Sequence, residues 1–153
     1  MKRKLLVLLL FLPLLSACGP KAPLMNELTN DNSYYYQNND LGFALRLPAV
    51  FEYYQTQRVT GENYIDLEIF VPTSDEEYRN SIPPSYAKAV VVRIFSQAGW
   101  ERSANTEKER YERVGDNGDQ IYAVYVWEGD AEDWLEKWQP EIKEEIIQSF
   151  ELK

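Results

Sequence analysis

The chain carries a narrow set of reactive side chains: one cysteine, no histidine, and 25 aspartates and glutamates against 16 lysines and arginines. Without imidazole, the usual zinc ligand sets and the nucleophile–base pairs of hydrolase triads are absent. Gly-rich phosphate loops are missing too, because the seven glycines are scattered singly. What is left for chemistry is one thiol and the carboxylates. Hard cations such as calcium or manganese take carboxylate and carbonyl oxygens and need no histidine. Asp116, Asn117 and Asp119 form the tightest oxygen cluster, followed by Asp75, Glu76 and Glu77. Neither has the spacing of an EF-hand loop, and a solvated turn is the favoured reading of the first. A carboxylate pair could also hydrolyse an envelope polysaccharide, as in glycosidases, but no pair stands out along the chain. The expectation is therefore no catalytic residue and no cofactor, with Asp116, Asn117 and Asp119 as weak metal candidates only.

The thiol has a more specific context. Lys2, Arg3 and Lys4 precede an apolar stretch from Leu5 to Leu15, interrupted by Pro13, which ends in Leu15-Ser16-Ala17-Cys18. A membrane-spanning helix needs about 20 apolar residues, and this run is roughly half as long. A basic start, a short apolar run and small residues before a cut make residues 1–17 a cleavable leader. The Leu-small-small-Cys ending resembles the lipobox of bacterial lipoproteins. That resemblance implies a diacylglycerol on the Cys18 thiol, cleavage before Cys18 and further acylation, such as palmitate, on the new amino group. Since each buried methylene contributes about 0.8 kcal/mol, two or three chains would anchor the domain stably at a cell membrane, outside the cytoplasm. Gly19 stands where an Asp resembles an inner-membrane retention signal in Gram-negative lipoproteins. In such an envelope the outer membrane is the expected destination.

Removing the three basic residues of the leader leaves 13 Lys plus Arg against 25 Asp plus Glu, a formal charge of −12 on the mature chain. Nucleic acid and anionic headgroups are bound by basic patches, so neither is an expected partner. Residues 18–33 are rich in Asn, Asp, Thr and Pro without helical or strand period and read as a flexible tether with a span of about 20 Å.

The elements that would position any site begin at Tyr34. Tyr34–Gln37 reads as a first strand. Phe43, Leu45 and Leu47 alternate along a second strand that Pro48 closes, with Phe51–Arg58 expected to pair back against it. Tyr64–Val71 puts Ile65, Leu67, Ile69 and Val71 on one face and Asp66 and Glu68 on the other. Thr73–Tyr86 reads as a candidate mobile loop with one helical turn. Ala89–Phe95 and Ile121–Trp127 are apolar almost throughout, as strands covered on both faces are. Gln97–Asn105 suits a short helix with Trp100 inward. Tyr111–Val114 reads as a hairpin with the strand that follows, through a primed turn at Asn117-Gly118 in which both residues have positive φ. A final helix starts at Asp130, with Trp134, Leu135, Trp138, Ile142 and Ile146 along its apolar stripe and Pro140 kinking it or starting a second helix. The class is α+β: an antiparallel β-sheet flanked by helices, with an amphipathic C-terminal helix, in one domain over residues 34–153.

Three patterns occur in order: Tyr36 with Leu41-Gly42-Phe43 and Leu45-Arg46-Leu47-Pro48, then Val90-Val91-Val92-Arg93-Ile94, then Ile146-Ile147-Gln148-Ser149-Phe150. Together they resemble PsbP-like domains, an antiparallel sandwich flanked by helices found in photosystem II extrinsic subunits and in bacterial lipoproteins. Phe51 stands where such domains often have a tryptophan. The resemblance implies a binding or assembly module and supplies no catalytic residue. The expected role is thus docking an envelope protein partner, and Tyr34, Tyr35, Tyr36, Tyr53, Tyr54, Tyr78 and Tyr86 are the candidate contact residues, because tyrosine gives interface area at small entropic cost.

Overall fold

A computed structural model describes residues 27–153 apart from 104. The leader, Cys18 and the tether as far as residue 26 lie outside the described residues. The strands are β1 (Ser33–Asn38), β2 (Phe43–Pro48), β3 (Gln55–Thr60), β4 (Tyr64–Pro72), β5 (Tyr86–Ser96), β6 (Glu112–Asp116), β7 (Gln120–Val126) and β8 (Glu151–Leu152). The helices are α1 (Gln97–Arg102), α2 (Asn105–Arg110) and α3 (Pro140–Gln148). All strand pairs are antiparallel, in two sheets ordered β1-β2-β8 and β3-β4-β5-β7-β6. The class is α+β, with two sheets where one was expected. Among the described residues no helix is long and apolar enough to cross a membrane.

Alternation builds the main core. Leu67, Ile69 and Val71 of β4 join Val90, Val92 and Ile94 of β5 and Tyr122, Val124 and Val126 of β7. Facing them are Phe43, Leu45 and Leu47 of β2, and Ile142 and Ile146 of α3. Phe43 meets Tyr122 across the two sheets at 6.4 Å between ring centroids. On the far side of the larger sheet, Val91, Phe95, Tyr111 and Ala123 form a second cluster with Trp100. That cluster explains why β5 and β7 read as continuous apolar runs. Ser96 caps α1 by accepting from the Gly99 amide at 3.0 Å, and so turns Trp100 onto Phe95 at 5.3 Å.

Several expectations are corrected. Phe51–Arg58 does not pair with β2, whose two edges are taken by β1 and β8. Instead Ala49–Phe51 forms a 3₁₀ turn with Phe51 fully buried, and the chain crosses to the larger sheet, where β3 pairs with β4. Asp66 and Glu68 are not on a wet face: they are 4% and 9% exposed and pair across the strands with Arg93 and Lys88. The Asn117-Gly118 turn has positive φ only at Gly118, at 93°. Asn117 Oδ1 instead accepts from the Asp119 and Gln120 amides at 3.1 and 2.9 Å. Of the two readings of Pro140 the second holds, since it starts α3, where its missing N–H is not needed in a first turn, while the expected first part of the helix is only a 3₁₀ turn at Glu132–Trp134. Asp130 caps neither element, and Leu135 leaves the apolar stripe with 66% exposure. Past α3, Phe150 stacks on Phe43 at 5.6 Å and the chain adds the unexpected strand β8 to β2. The end of the predicted tether folds back: Leu28 bridges to Tyr34, the Thr29 amide donates to Ser33 O at 2.8 Å, and Asp31 pairs with Arg46 at 2.7 Å.

Candidate functional site

Three loops meet at one end of the sandwich: residues 49–54 after β2, 73–85 between β4 and β5, and 127–139 between β7 and α3. Side chains tie them together. Trp134 Nε1 donates to Pro72 O at 3.0 Å, and the Glu132 amide donates to the Asp75 carboxylate at 2.8 Å. The Thr73 hydroxyl donates to Asp133, and the Tyr86 hydroxyl donates to Tyr53 O at 3.3 Å. Asp75 also caps the 3₁₀ turn Glu76–Tyr78 by accepting from the Glu77 amide at 2.9 Å. The loop expected to be mobile is therefore bonded to the 127–139 loop at its start, and within itself Ser81 Oγ lies 2.7 Å from the carbonyls of both Tyr78 and Pro83.

Beneath these loops lie buried rings. Trp134 packs on Phe51 at 5.7 Å and on Trp127 at 5.5 Å, and Trp127 meets Trp138 at 5.9 Å. The Trp127 indole N–H is buried with no hydrogen-bond partner among the described residues. Within the same loops, Tyr53, Ile82 and Leu135 are exposed by 75%, 80% and 66%. A shallow cavity of about 290 Å³ lies between Val50, Tyr53, Pro72, Trp134 and Lys137. Tyr53 and Ser85 hold φ of 61° and 60°, a left-handed conformation that costs a non-glycine residue about 1 kcal/mol. Such strain persists only where the surroundings impose it, and both residues sit in these loops.

The same loops are acidic, with nine carboxylates (Glu52, Asp75, Glu76, Glu77, Glu128, Asp130, Glu132, Asp133 and Glu136) and two cations (Arg79 and Lys137). Their field is felt locally. The Tyr78 phenol is pushed above its ordinary pKa by burial first, and then by Asp130, Asp75 and Glu77. The Tyr53 phenol is raised by its hydrogen bond to Glu52 and by the charge of that carboxylate.

The predicted site residues fare unevenly. Of the seven tyrosines, Tyr35 and Tyr36 are buried, and Tyr34, Tyr54, Tyr78 and Tyr86 are half-buried. Tyr54 packs against Tyr34 and Tyr36 at 6.1 and 6.3 Å. Only Tyr53 presents its ring to solvent, so tyrosine abundance by itself supports no interface. Leu135 and Ile82 were not singled out, because one was read as core and the other as plain loop. Asp116, Asn117 and Asp119 do fall in one turn, but the side-chain oxygens of Asp116 and Asn117 are engaged. Asp116 accepts from the Gly118 amide at 2.7 Å and pairs with Arg113. These bonds, first that of the amide, hold its carboxyl below the usual range. Among the described residues no group of three or more acidic side chains is placed to hold a metal ion. As for a carboxylate pair, buried Asp66 and Glu68 are each committed to a cation, and Glu109, Glu112 and Glu128 around a cavity of about 510 Å³ are all exposed.

No protein-family model, no curated protein and no solved structure matches this chain significantly.

Proposed function

We propose that this chain is a lipid-anchored extracytoplasmic protein whose domain docks a protein partner in the cell envelope, without catalysis, cofactor or bound metal. The observation that carries the docking reading is the three-loop end. The 73–85 and 127–139 loops are bonded to each other, the 127–139 loop is tied to the end of β4 and the 49–54 loop to the start of β5, and Tyr53, Ile82 and Leu135 of these loops stand out of the core. Exposed apolar side chains on a preorganised support, rimmed by polar residues, are the ordinary composition of an interface centre. Anchoring rests on the leader and on Leu15-Ser16-Ala17-Cys18, with the outer membrane as destination in a Gram-negative envelope. A PsbP-like assignment rests on its three sequence patterns, and the antiparallel α+β architecture is compatible with it.

Two measurements test the proposal. Cys18→Ser should abolish labelling of the protein by a fatty acid and release it from the membrane fraction; labelling that persists would remove the anchor. In mild detergent extracts, the wild-type chain should migrate on native gels as a larger complex that is lost in a Tyr53→Ser, Leu135→Ser double variant. A complex that survives both substitutions would place docking elsewhere.

A further inference from the structure

We infer that the occupant of the three-loop end is cationic: a lysine- or arginine-rich segment of a partner protein that also offers a large apolar side chain. This deepens the docking reading and rests on it. The exposed large apolar side chains of these loops are Tyr53, Ile82 and Leu135, and the charge of the loops selects the partner. Both cations of the loops are already engaged, Arg79 with Glu76 and Lys137 with Asp133. Glu52, Glu77, Asp130, Glu132 and Glu136 are exposed and make no ion pair among the described residues. An occupant of this end therefore meets loops that carry these five unpaired carboxylates and whose two cations are engaged.

That charge excludes the other candidates. A second copy of this end would bring the same surplus of negative charge against itself, and like charges brought together at an interface repel. Anionic lipid headgroups and nucleic acid are repelled for the same reason. A neutral surface would desolvate the rim without supplying donors, which leaves polar groups unpaired. A cationic segment supplies both the donors and the opposite charge, and its apolar residue can enter the cavity beside Tyr53 and Trp134. The outer face of α3, with Glu141, Glu144 and Glu145 exposed, is also acidic but has no exposed large apolar side chain, so it serves as an internal control.

The test uses the lipidated full chain in nonionic detergent. The probe is a dodecapeptide of lysine and serine carrying one tryptophan, and its control has glutamate in place of every lysine. Amide chemical shifts should move on addition of the lysine peptide in residues 49–54, 73–86 and 127–139, and not along α3. Neutralising Glu52, Glu132 and Glu136 to Gln should weaken that binding about tenfold at low salt, and raising the salt from about 0.05 to 0.5 M should do the same to the wild type. The Gln variant should also shrink the native-gel complex. Shifts spread over α3, equal binding of the glutamate peptide, or no binding at all would overturn the cationic occupant. A complex that is lost with Tyr53→Ser, Leu135→Ser but unmoved by the Gln variant would keep the docking reading and refute this inference alone. Absence of any complex would refute both.

Discussion

Trp134→Phe probes the bond that ties the 127–139 loop to the end of β4. The indole donates to Pro72 O at 3.0 Å from a side chain that is 1% exposed. Phenylalanine keeps a ring against Phe51 and Trp127 but removes the donor and roughly 40 Å³ of volume. At about 24 cal/mol per Å³ of residual cavity, the volume alone costs about 1 kcal/mol. The lost hydrogen bond adds about 1 kcal/mol. Trp127→Phe is the control, because Trp127 is 3% exposed in the same cluster yet its N–H has no partner among the described residues. That change removes volume only and should cost about 1 kcal/mol or less. Urea unfolding of both variants should therefore separate them by about 1 kcal/mol, with Tm values some 4 °C apart for a domain of this size. Trp134→Phe should also weaken the native-gel complex, whereas Trp127→Phe should not. Equal losses in the two variants would show that the Trp134 bond contributes nothing to holding the loops.

Other perturbations test the buried charges and the acidic turn. Arg93 grips Asp66 with two bonds of 2.7 Å, so Arg93→Met strands a carboxylate that is 4% exposed and should cost about 3 kcal/mol, most of it recovered by adding Asp66→Leu. A loss under about 1 kcal/mol in urea unfolding would contradict the pairing. Asp133 is held below the usual carboxyl range although burial, the largest single influence, opposes it; Thr73, the Ser74 amide and Lys137 together prevail. Its folded pKa being lower than its unfolded one, the stabilisation is present above about pH 4 and is lost as pH falls through the folded value. Wild type and Asp133→Asn should thus differ in Tm at neutral pH and converge in acid, and a gap that stays constant with pH would refute this. Calcium at about 1 mM should leave Tm unchanged, because Asp116 is already taken by Arg113 and the Gly118 amide; a rise of a few degrees would restore Asp116, Asn117 and Asp119 as ligands.

Much of the strand pattern was legible because it is local. Ile65, Leu67, Ile69 and Val71 alternate, Pro72 stops them, and β4 ends there. Ala89–Phe95, apolar but for Arg93, and Ile121–Trp127, apolar throughout, read as strands covered on both faces, and they became β5 and β7 of the larger sheet. Partner choice was not legible, since β3 and β8 are assigned by which edges remain free after long-range pairing, and residues 151–152 carry no signal for a strand. Burial of Asp66 and Glu68 escaped pattern reading because a charged residue counts as wet until its cross-strand cation is known. The site was least legible. Tyrosine counts pointed mostly to rings that pack in or beside the core, and Leu135 was assigned to the core as part of the apolar stripe of an expected continuous helix. Its exposure follows from Pro140, which starts α3 anew and leaves residues 132–139 to turn on their own.

The docking end is tested most directly by a photoreactive phenylalanine analogue placed at Leu135 in the lipidated protein in cells, with the same analogue at Gln57, exposed on β3, as the reference. Illumination should give a discrete adduct from Leu135 and none from Gln57, and the Leu135 adduct should fade when Glu52, Glu132 and Glu136 are neutralised. No adduct from Leu135, or the same adducts from both positions, would contradict a protein-docking surface at this end of the fold.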